Sequence, residues 1–177
     1  GNVTTLAHTL DWFSKRPLFG TSILLTRPLE ESNRSGMMLE ELGAEVLHQP
    51  AISIALSNEC EYPRDWLARI SEFDWILFSS RHGVEHFMSL LWESGLDLRA
   101  LGSAKLAAVG PSTAETLERY HLKCDRVPSS NFGAASLVSI LSNEVRGKKC
   151  LLVRGDRGQP ILEERLGEAG AMVAKAI

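Results

Sequence analysis

Aromatic residues make up only 7% of the 177-residue chain, and cysteine occurs three times, as Cys60, Cys124 and Cys150. An odd number of cysteines with no C-x-x-C spacing argues against a disulfide framework and against a zinc finger; it predicts a reducing, cytoplasmic setting. A basic excess is lacking as well. Nineteen Lys+Arg face 22 Asp+Glu, for a formal charge of −3, and no basic run exists to neutralise a phosphate backbone, so nucleic acid is not an expected partner. No apolar run approaches the about 18 residues of a membrane-spanning helix, so no membrane partner is expected either. Three motifs are also missing: a G-x-G-x-x-G after a strand, a Walker A loop and a G-x-S-x-G elbow. The familiar nucleotide cradles and the α/β-hydrolase nucleophile are therefore not legible.

What remains is 44% hydrophobic and 23% charged, the balance of an ordinary globular protein. Short apolar runs alternate with longer helical patterns, which predicts an α/β fold built on parallel sheet. Residues 22–27 are expected as a strand, 29–42 as a helix stopped by Gly43, and 44–48 as a second strand closed by Gln49-Pro50. Residues 51–56 alternate as a short extended connector. A longer series follows: helix 65–70, strand 75–78, helix 83–92, strand 105–109, helix 113–120, strand 123–127, helix 134–141, strand 150–153, helix 161–169 and strand 171–177. Five strands from residue 74 onward make one complete doubly wound sheet, whereas 22–48 supplies only strand–helix–strand of another. Residues 1–21 stand apart as a linker: Leu6, Leu10 and Phe13 share a helical face, and Arg16-Pro17-Leu18-Phe19-Gly20 breaks it.

Ligands of open parallel sheets bind beyond the carboxyl ends of the strands. Four loops at such positions carry suitable residues: Thr26-Arg27-Pro28, Ser79-Ser80-Arg81-His82-Gly83, Gly110-Pro111-Ser112-Thr113 and Arg154-Gly155-Asp156-Arg157-Gly158. Each offers hydroxyls, helix-start amides or an arginine, a set suited to carboxylates. Each also has a plainer reading. Ser112 and Thr113 stand where a helix N-cap belongs, Ser79 and Ser80 could cap the next helix, and Arg154 and Arg157 could be solvated loop charges. Four such loops on one kind of edge favour the binding reading.

One pattern points elsewhere. His82-Gly83-Val84-Glu85-His86 matches the H-x-x-E-H of inverted zinc peptidases, two histidines one helical turn apart. Against it, no helix obviously brings a third ligand, and Gly83 weakens the motif's own helix. No metal site is expected.

In order along the chain, several segments resemble the uroporphyrinogen-III synthase family. They are Ile23-Leu24-Leu25-Thr26-Arg27-Pro28; Leu42-Gly43-Ala44-Glu45-Val46 running into Pro50; Trp75-Ile76-Leu77-Phe78-Ser79-Ser80 with Gly83-Val84; Ala108-Val109-Gly110-Pro111-Ser112-Thr113-Ala114; Leu151-Leu152-Val153-Arg154-Gly155; and the 166–170 helix end leading into a strand. The stretch from Gly1-Asn2-Val3 to Gly20 is similar to the junction of bifunctional proteins in which a uroporphyrinogen-III C-methyltransferase precedes the synthase.

The resemblance implies two flavodoxin-like parallel-sheet domains facing each other across a cleft. Residues 22–55 would be the first part of domain 1, the remainder absent, and 56–177 would be domain 2. The chain would stop where the family re-enters its first domain, leaving this portion inactive alone. The implied activity is a lyase of tetrapyrrole biosynthesis, cyclising hydroxymethylbilane with inversion of ring D and loss of water, and calling for no metal or organic cofactor. Thr113 is then the candidate catalytic residue. Thr26, Arg27, Ser79, Ser80, Arg81, Gly110, Ser112, Thr113 and Arg154 are candidate substrate contacts. The alternatives are a non-catalytic flavodoxin-like ligand-binding module and, more remotely, the zinc peptidase of His82, Glu85 and His86.

Overall fold

Strand Ser22–Leu25 (β1), helix Leu29–Glu41 (α1) and strand Glu45–His48 (β2) form a parallel β-α-β unit in which Ser22 pairs with Glu45 and Leu25 with His48. The computed structural model describes residues 11–51, 65–155 and 160–176. The chain divides into two compact units, Gly1–Leu56 and Ser57–Ile177. In the first, α1 closes with Gly43 at φ +96°, a conformation that suits glycine, and the Ala44 amide reaches back to the Leu39 carbonyl. The two-stranded sheet leaves Leu24 and Leu47 more than half exposed, and Met37 and Met38 on α1 are exposed as well.

Residues 11–20 are a run of turns, not the end of a helix; Leu6 and Leu10, expected on the same face as Phe13, lie outside the described residues. The segment is bonded to the C-terminal end of α1. The Leu18 amide donates to the Leu42 carbonyl (2.9 Å), Arg16 donates to the Glu40 carbonyl (3.3 Å), and the Arg16 guanidinium lies over the Trp12 and Phe13 rings. Arg16 thus answers the free carbonyls that end a helix.

The second unit runs α2 (Asp65–Ala68), a 3-10 turn Ile70–Glu72, β3 (Trp75–Phe78), α3 (Arg81–Glu93), a 3-10 turn Leu98–Leu101, β4 (Lys105–Ala108), α4 (Pro111–Arg119), α5 (Ala134–Leu141), β5 (Lys149–Val153), α6 (Ile161–Glu168) and β6 (Met172–Ala176). The named strands form a four-stranded parallel sheet in the order β4-β3-β5-β6. β3 is buried along its whole length, as expected of a central strand covered on both faces. Period-two alternation distributes its side chains. Ile76 and Phe78 join Trp66, Val84, Phe87, Met88, Leu91 and Leu117 on one face, with Phe87 against both Trp66 and Phe78 (ring centroids 5.3 Å for each pair). Trp75 and Leu77 join Leu137, Leu141, Leu162 and Leu166 on the other. α2, α3 and α4 therefore cover one face, and α5 and α6 the opposite one.

Several boundaries differ from the sequence expectation. The strand expected at 123–127 is a single parallel bridge, Ala107 to Arg126. The reason lies in Asp125, whose carboxylate takes the Leu106 amide (2.8 Å) while the Asp125 and Arg126 amides share the Leu106 carbonyl. A side chain thus occupies the edge of β4 where a ladder would run, and buried Pro128, which has no amide hydrogen, follows. The helix expected at 65–70 breaks into α2 and the 3-10 turn. β1 and β4 stop before the loop residues Thr26, Arg27 and Val109. The connector proposed for 51–56 and the last residue of the final strand fall outside the described residues, apart from Ala51.

Candidate functional site

In the second unit the strand order reverses between β3 and β5, so the carboxyl ends of these strands flank a topological switch point. Ser79 closes it. Its amide donates to the Val153 carbonyl (3.0 Å) and its hydroxyl donates to the same oxygen (3.2 Å), tying the end of β3 to the end of β5. Ser80 is the N-cap of α3: its backbone is extended, and its Oγ accepts from the Gly83 amide at 3.0 Å. Helix α3 therefore begins at Arg81, two residues before the expected start. The amides of Arg81 and His82 lie in its first turn. A side chain at Gly83 would meet the Ser80 Oγ at 3.3 Å and the Val153 side chain at 3.5 Å, so the start of α3 sits close over the end of β5. Arg154 follows β5, half-buried, and its amide donates to the Ala176 carbonyl (3.1 Å).

Next to this, α4 begins at Pro111, with Gly110 as its N-cap and no side-chain cap bond. Ser112 and Thr113 are thus not caps, as the plainer reading had them, but second and third residues of the helix. Proline suits the first position because its fixed φ is helical and no amide hydrogen is wanted there. Ser112 is exposed, while Thr113 is only 3% exposed. The Thr116 hydroxyl donates to the Ser112 carbonyl at 2.9 Å. One edge of the sheet therefore collects Ser79, Ser80, Arg81, Gly110, Ser112, Thr113 and Arg154. The N-termini of α3 and α4 lie on it, with their partial positive charge. Such an edge can hold carboxylates by amides, hydroxyls and guanidinium together.

Thr26 and Arg27 lie in the first unit, in the loop after β1. Both are exposed; the Thr26 carbonyl accepts from the Ala51 amide, and Arg27 pairs with Glu31 at 2.9 Å. Asp156, Arg157 and Gly158 of the loop after β5 fall outside the described residues.

The H-x-x-E-H pattern lies on the first turns of α3. His82 Nδ1 contacts a Glu85 carboxylate oxygen at 3.2 Å. Among the described residues no group of three His, Cys, Asp or Glu is placed to hold a metal ion. Zinc chemistry of the inverted-peptidase kind needs three protein ligands.

Carboxylates with lowered pKa values sit at the opposite edge of the sheet. Asp74 is held below its ordinary value chiefly by the Lys149 amide and then by Lys148; Glu72 is held down by Lys149 and then Arg69. These groups pin the amino end of β3 to β5 and lie away from the loops above. A hollow of about 420 Å³ beside α6 is lined by Glu163 and Glu164, the wrong charge for an acidic ligand.

Sequence reasoning missed a pair in the first unit. Ser32, 1% exposed, donates to the Leu29 carbonyl (3.1 Å) and lies 2.9 Å from His48 Nδ1. His48 packs against Gly36, where a Cβ would come within 3.0 Å of the ring. The signal was Ser32 and Gly36 sharing one face of α1 four residues apart, a face that only the β-α-β geometry turns toward the end of β2.

Residues 36–177 match the family described as Uroporphyrinogen-III synthase HemD. The chain is 35% identical over 152 residues to the porphyrin biosynthesis protein HemD of Ruminiclostridium josui, covering 86% of this chain and 30% of that protein. It is 29% identical over 163 residues to the uroporphyrinogen-III synthase of Synechococcus elongatus, covering 92% and 61% respectively. The chain thus spans less than two thirds of the length of both relatives. The fold is similar to a crystal structure of a mutant uroporphyrinogen III synthase from the extreme thermophile Thermus thermophilus, with a TM-score of 0.67, 23% identity, and coverage of 89% of this chain and 61% of that one. The family match covers α3, α4 and every strand of the four-stranded sheet, and the chain belongs to the uroporphyrinogen-III synthase family.

Proposed function

We propose that the protein is a uroporphyrinogen-III synthase, acting on hydroxymethylbilane to close the macrocycle with inversion of ring D and loss of water. The observation that carries this reading is the gathering of two helix N-termini, serine hydroxyls and Arg154 on one sheet edge of a chain in this family. The substrate bears many carboxylates, and such an edge offers them matching donors. Because the linear substrate closes on its own to the wrong isomer, the protein's task is chiefly to hold geometry, which needs fixed donors more than a strong acid or base. In this reading the amides at the starts of α3 and α4, with Ser112 and Arg154, bind carboxylates. Thr113, at the start of α4, is the candidate for a hydrogen bond to the departing hydroxyl. Thr26 and Arg27, in the loop after β1, are candidate carboxylate donors of the first unit taken by itself.

Two finer proposals accompany this one. Residues 1–21 connect a synthase portion to a preceding uroporphyrinogen-III C-methyltransferase in a cytoplasmic fusion, a reading supported by the greater length of the Ruminiclostridium relative. The first unit, residues 22–55, is completed by further sequence, supported by its two-stranded sheet with Leu24 and Leu47 exposed, and turnover requires that completion.

The test is a coupled assay from porphobilinogen and its deaminase, with isomers I and III separated after oxidation. The chain is run beside a version extended with the corresponding segment of a relative. Isomer III from the extended chain alone is expected. Isomer I from both would overturn the synthase reading in favour of a binding module, and isomer III from the 177-residue chain would overturn the need for completion.

A further inference from the structure

The carboxyl edge of the four-stranded sheet is polar: Ser79, Ser80, Arg81, Ser112 and Arg154 account for the carboxylates of a tetrapyrrole but not for its rings. One exposed aromatic lies on the same edge. After the bridge at Arg126 the chain leaves β4, and it returns when the Gly133 amide donates to the carbonyl of Val109, just past the end of β4 (3.2 Å). Phe132 is the last residue of that excursion and is 57% exposed. Its position is built. Asn131 and Gly133 on either side have φ values of +50° and +143°, the Ser136 hydroxyl donates to the Asn131 carbonyl, and Gly133 is the N-cap of α5. The root of the ring lies over Gly110: a Cβ there would be 3.5 Å from the Phe132 Cβ and 3.8 Å from its Cγ. The ring therefore stands beside the N-terminus of α4.

Single exposed apolar side chains are ordinary on protein surfaces, and most of the others in this unit fit that description. Trp92 and Ile140 sit at the C-terminal ends of α3 and α5, and Met172 opens β6, all on the amino edge of the sheet. Phe132 differs in lying beside the amides and hydroxyls of the candidate site.

We propose that Phe132 is a ring platform: a pyrrole of the bound tetrapyrrole rests on its face while the starts of α3 and α4 take the carboxylates. The proposal rests on the synthase reading above and deepens it by naming the group that fixes a ring. Aromatic pairs of this kind prefer offset or edge-to-face contact at about 4.5–7 Å between centroids, which an exposed ring on a braced backbone can offer without rearrangement.

The experiment uses the full-length natural protein in the coupled isomer assay, comparing wild type with Phe132→Ala, Phe132→Leu and Phe132→Trp and recording a thermal melt for each. Phe132→Ala is expected to raise KM for hydroxymethylbilane roughly two- to tenfold with little change in kcat. Phe132→Trp, which keeps a ring face, is expected to restore KM. An unchanged KM in the alanine variant, or equal restoration by leucine and tryptophan, would overturn the platform. If the alanine variant melts early, the leucine variant, which keeps apolar bulk, gives the same reading. A fluorescence titration with uroporphyrin III separates the two claims. Should wild type form no isomer III, the synthase reading falls, and weaker porphyrin binding by Phe132→Ala would still support the platform. Equal binding by both, or none by wild type, would overturn it.

Discussion

Replacing Ser80 separates its role as cap of α3 from its proposed place beside the substrate. Its Oγ accepts from the Gly83 amide at 3.0 Å, and Ser80→Ala strands that donor. Helix α3 is otherwise held by buried Val84, Phe87, Met88, Leu90 and Leu91, so the loss should be confined to the cap, about 1 kcal/mol. For a unit of this size that corresponds to a melting temperature lower by roughly 3–5 °C. Ser80→Asp behaves differently. Aspartate caps as well as serine, and its charge suits the helix N-terminus, so stability should be kept. The same charge would stand near the expected position of substrate carboxylates. At about 5 Å and an effective dielectric of about 20 the repulsion is about 3 kcal/mol before salt screening, so a rise in KM of at least tenfold is expected. Circular-dichroism melts and the coupled isomer assay on the full-length protein read the two effects separately. A Ser80→Asp protein with wild-type KM would refute the placement of substrate at this edge. A Ser80→Ala protein with an unchanged melt would refute the cap.

Asp74→Ala should cost about 1 kcal/mol, because the Lys149 amide (2.9 Å) and the Lys148 ammonium (3.0 Å) lose a partly exposed carboxylate. Since the folded pKa is depressed, this contribution is full above the unfolded value of about 3.9 and fades as pH falls through the folded value. Urea titrations of wild type and variant should therefore converge in acid, and a constant gap would contradict the assignment. Gly43→Ala sets a Cβ 2.7 Å from the Arg16 Cβ at a φ of +96°, and a loss of about 1–3 kcal/mol is expected; faster amide exchange over 39–47 would report it, and unchanged protection would count against the packing of residues 11–20 on α1. Burial pushes the Cys150 thiol up to about 12 and the Cys124 thiol up to about 11, so neither should react with a disulfide reagent at pH 8 until urea unfolds the chain. Mass mapping of labelled Cys124 or Cys150 in the native protein would contradict this.

The central strands were legible because 75–78 and 150–153 are unbroken apolar runs bounded by polar loops, the pattern of strands buried on both faces. The edge was not. At 123–127 the outcome depended on the Asp125 carboxylate reaching the Leu106 amide, a contact across 19 positions that leaves no periodic trace. Helix starts were misplaced by two residues at α3 and α4 for a related reason. Gly83 was read as an opening residue although it is the amide that Ser80 caps, and Ser112-Thr113 drew attention away from Pro111. The loops of the candidate site could be named from hydroxyls and arginines following strands. That Ser79 ties β3 to β5 required the fold, since Val153 lies 74 positions away. Phe132 was passed over because it falls between the expected strand 123–127 and the expected helix 134–141, and only the Val109–Gly133 bond brings it to the carboxyl edge of the sheet.

The measurement that tests the account most directly is the amide NMR spectrum of the isotope-labelled protein titrated with uroporphyrin III, the stable oxidised form of the product. Shifts concentrated at residues 79–83, 110–113, 132–133 and 154 are expected, with the amino edge around Asp74, Lys148 and Lys149 unmoved. Shifts confined to that amino edge, or to the acidic hollow beside α6, would contradict the claim that this sheet edge binds a carboxylate-rich tetrapyrrole.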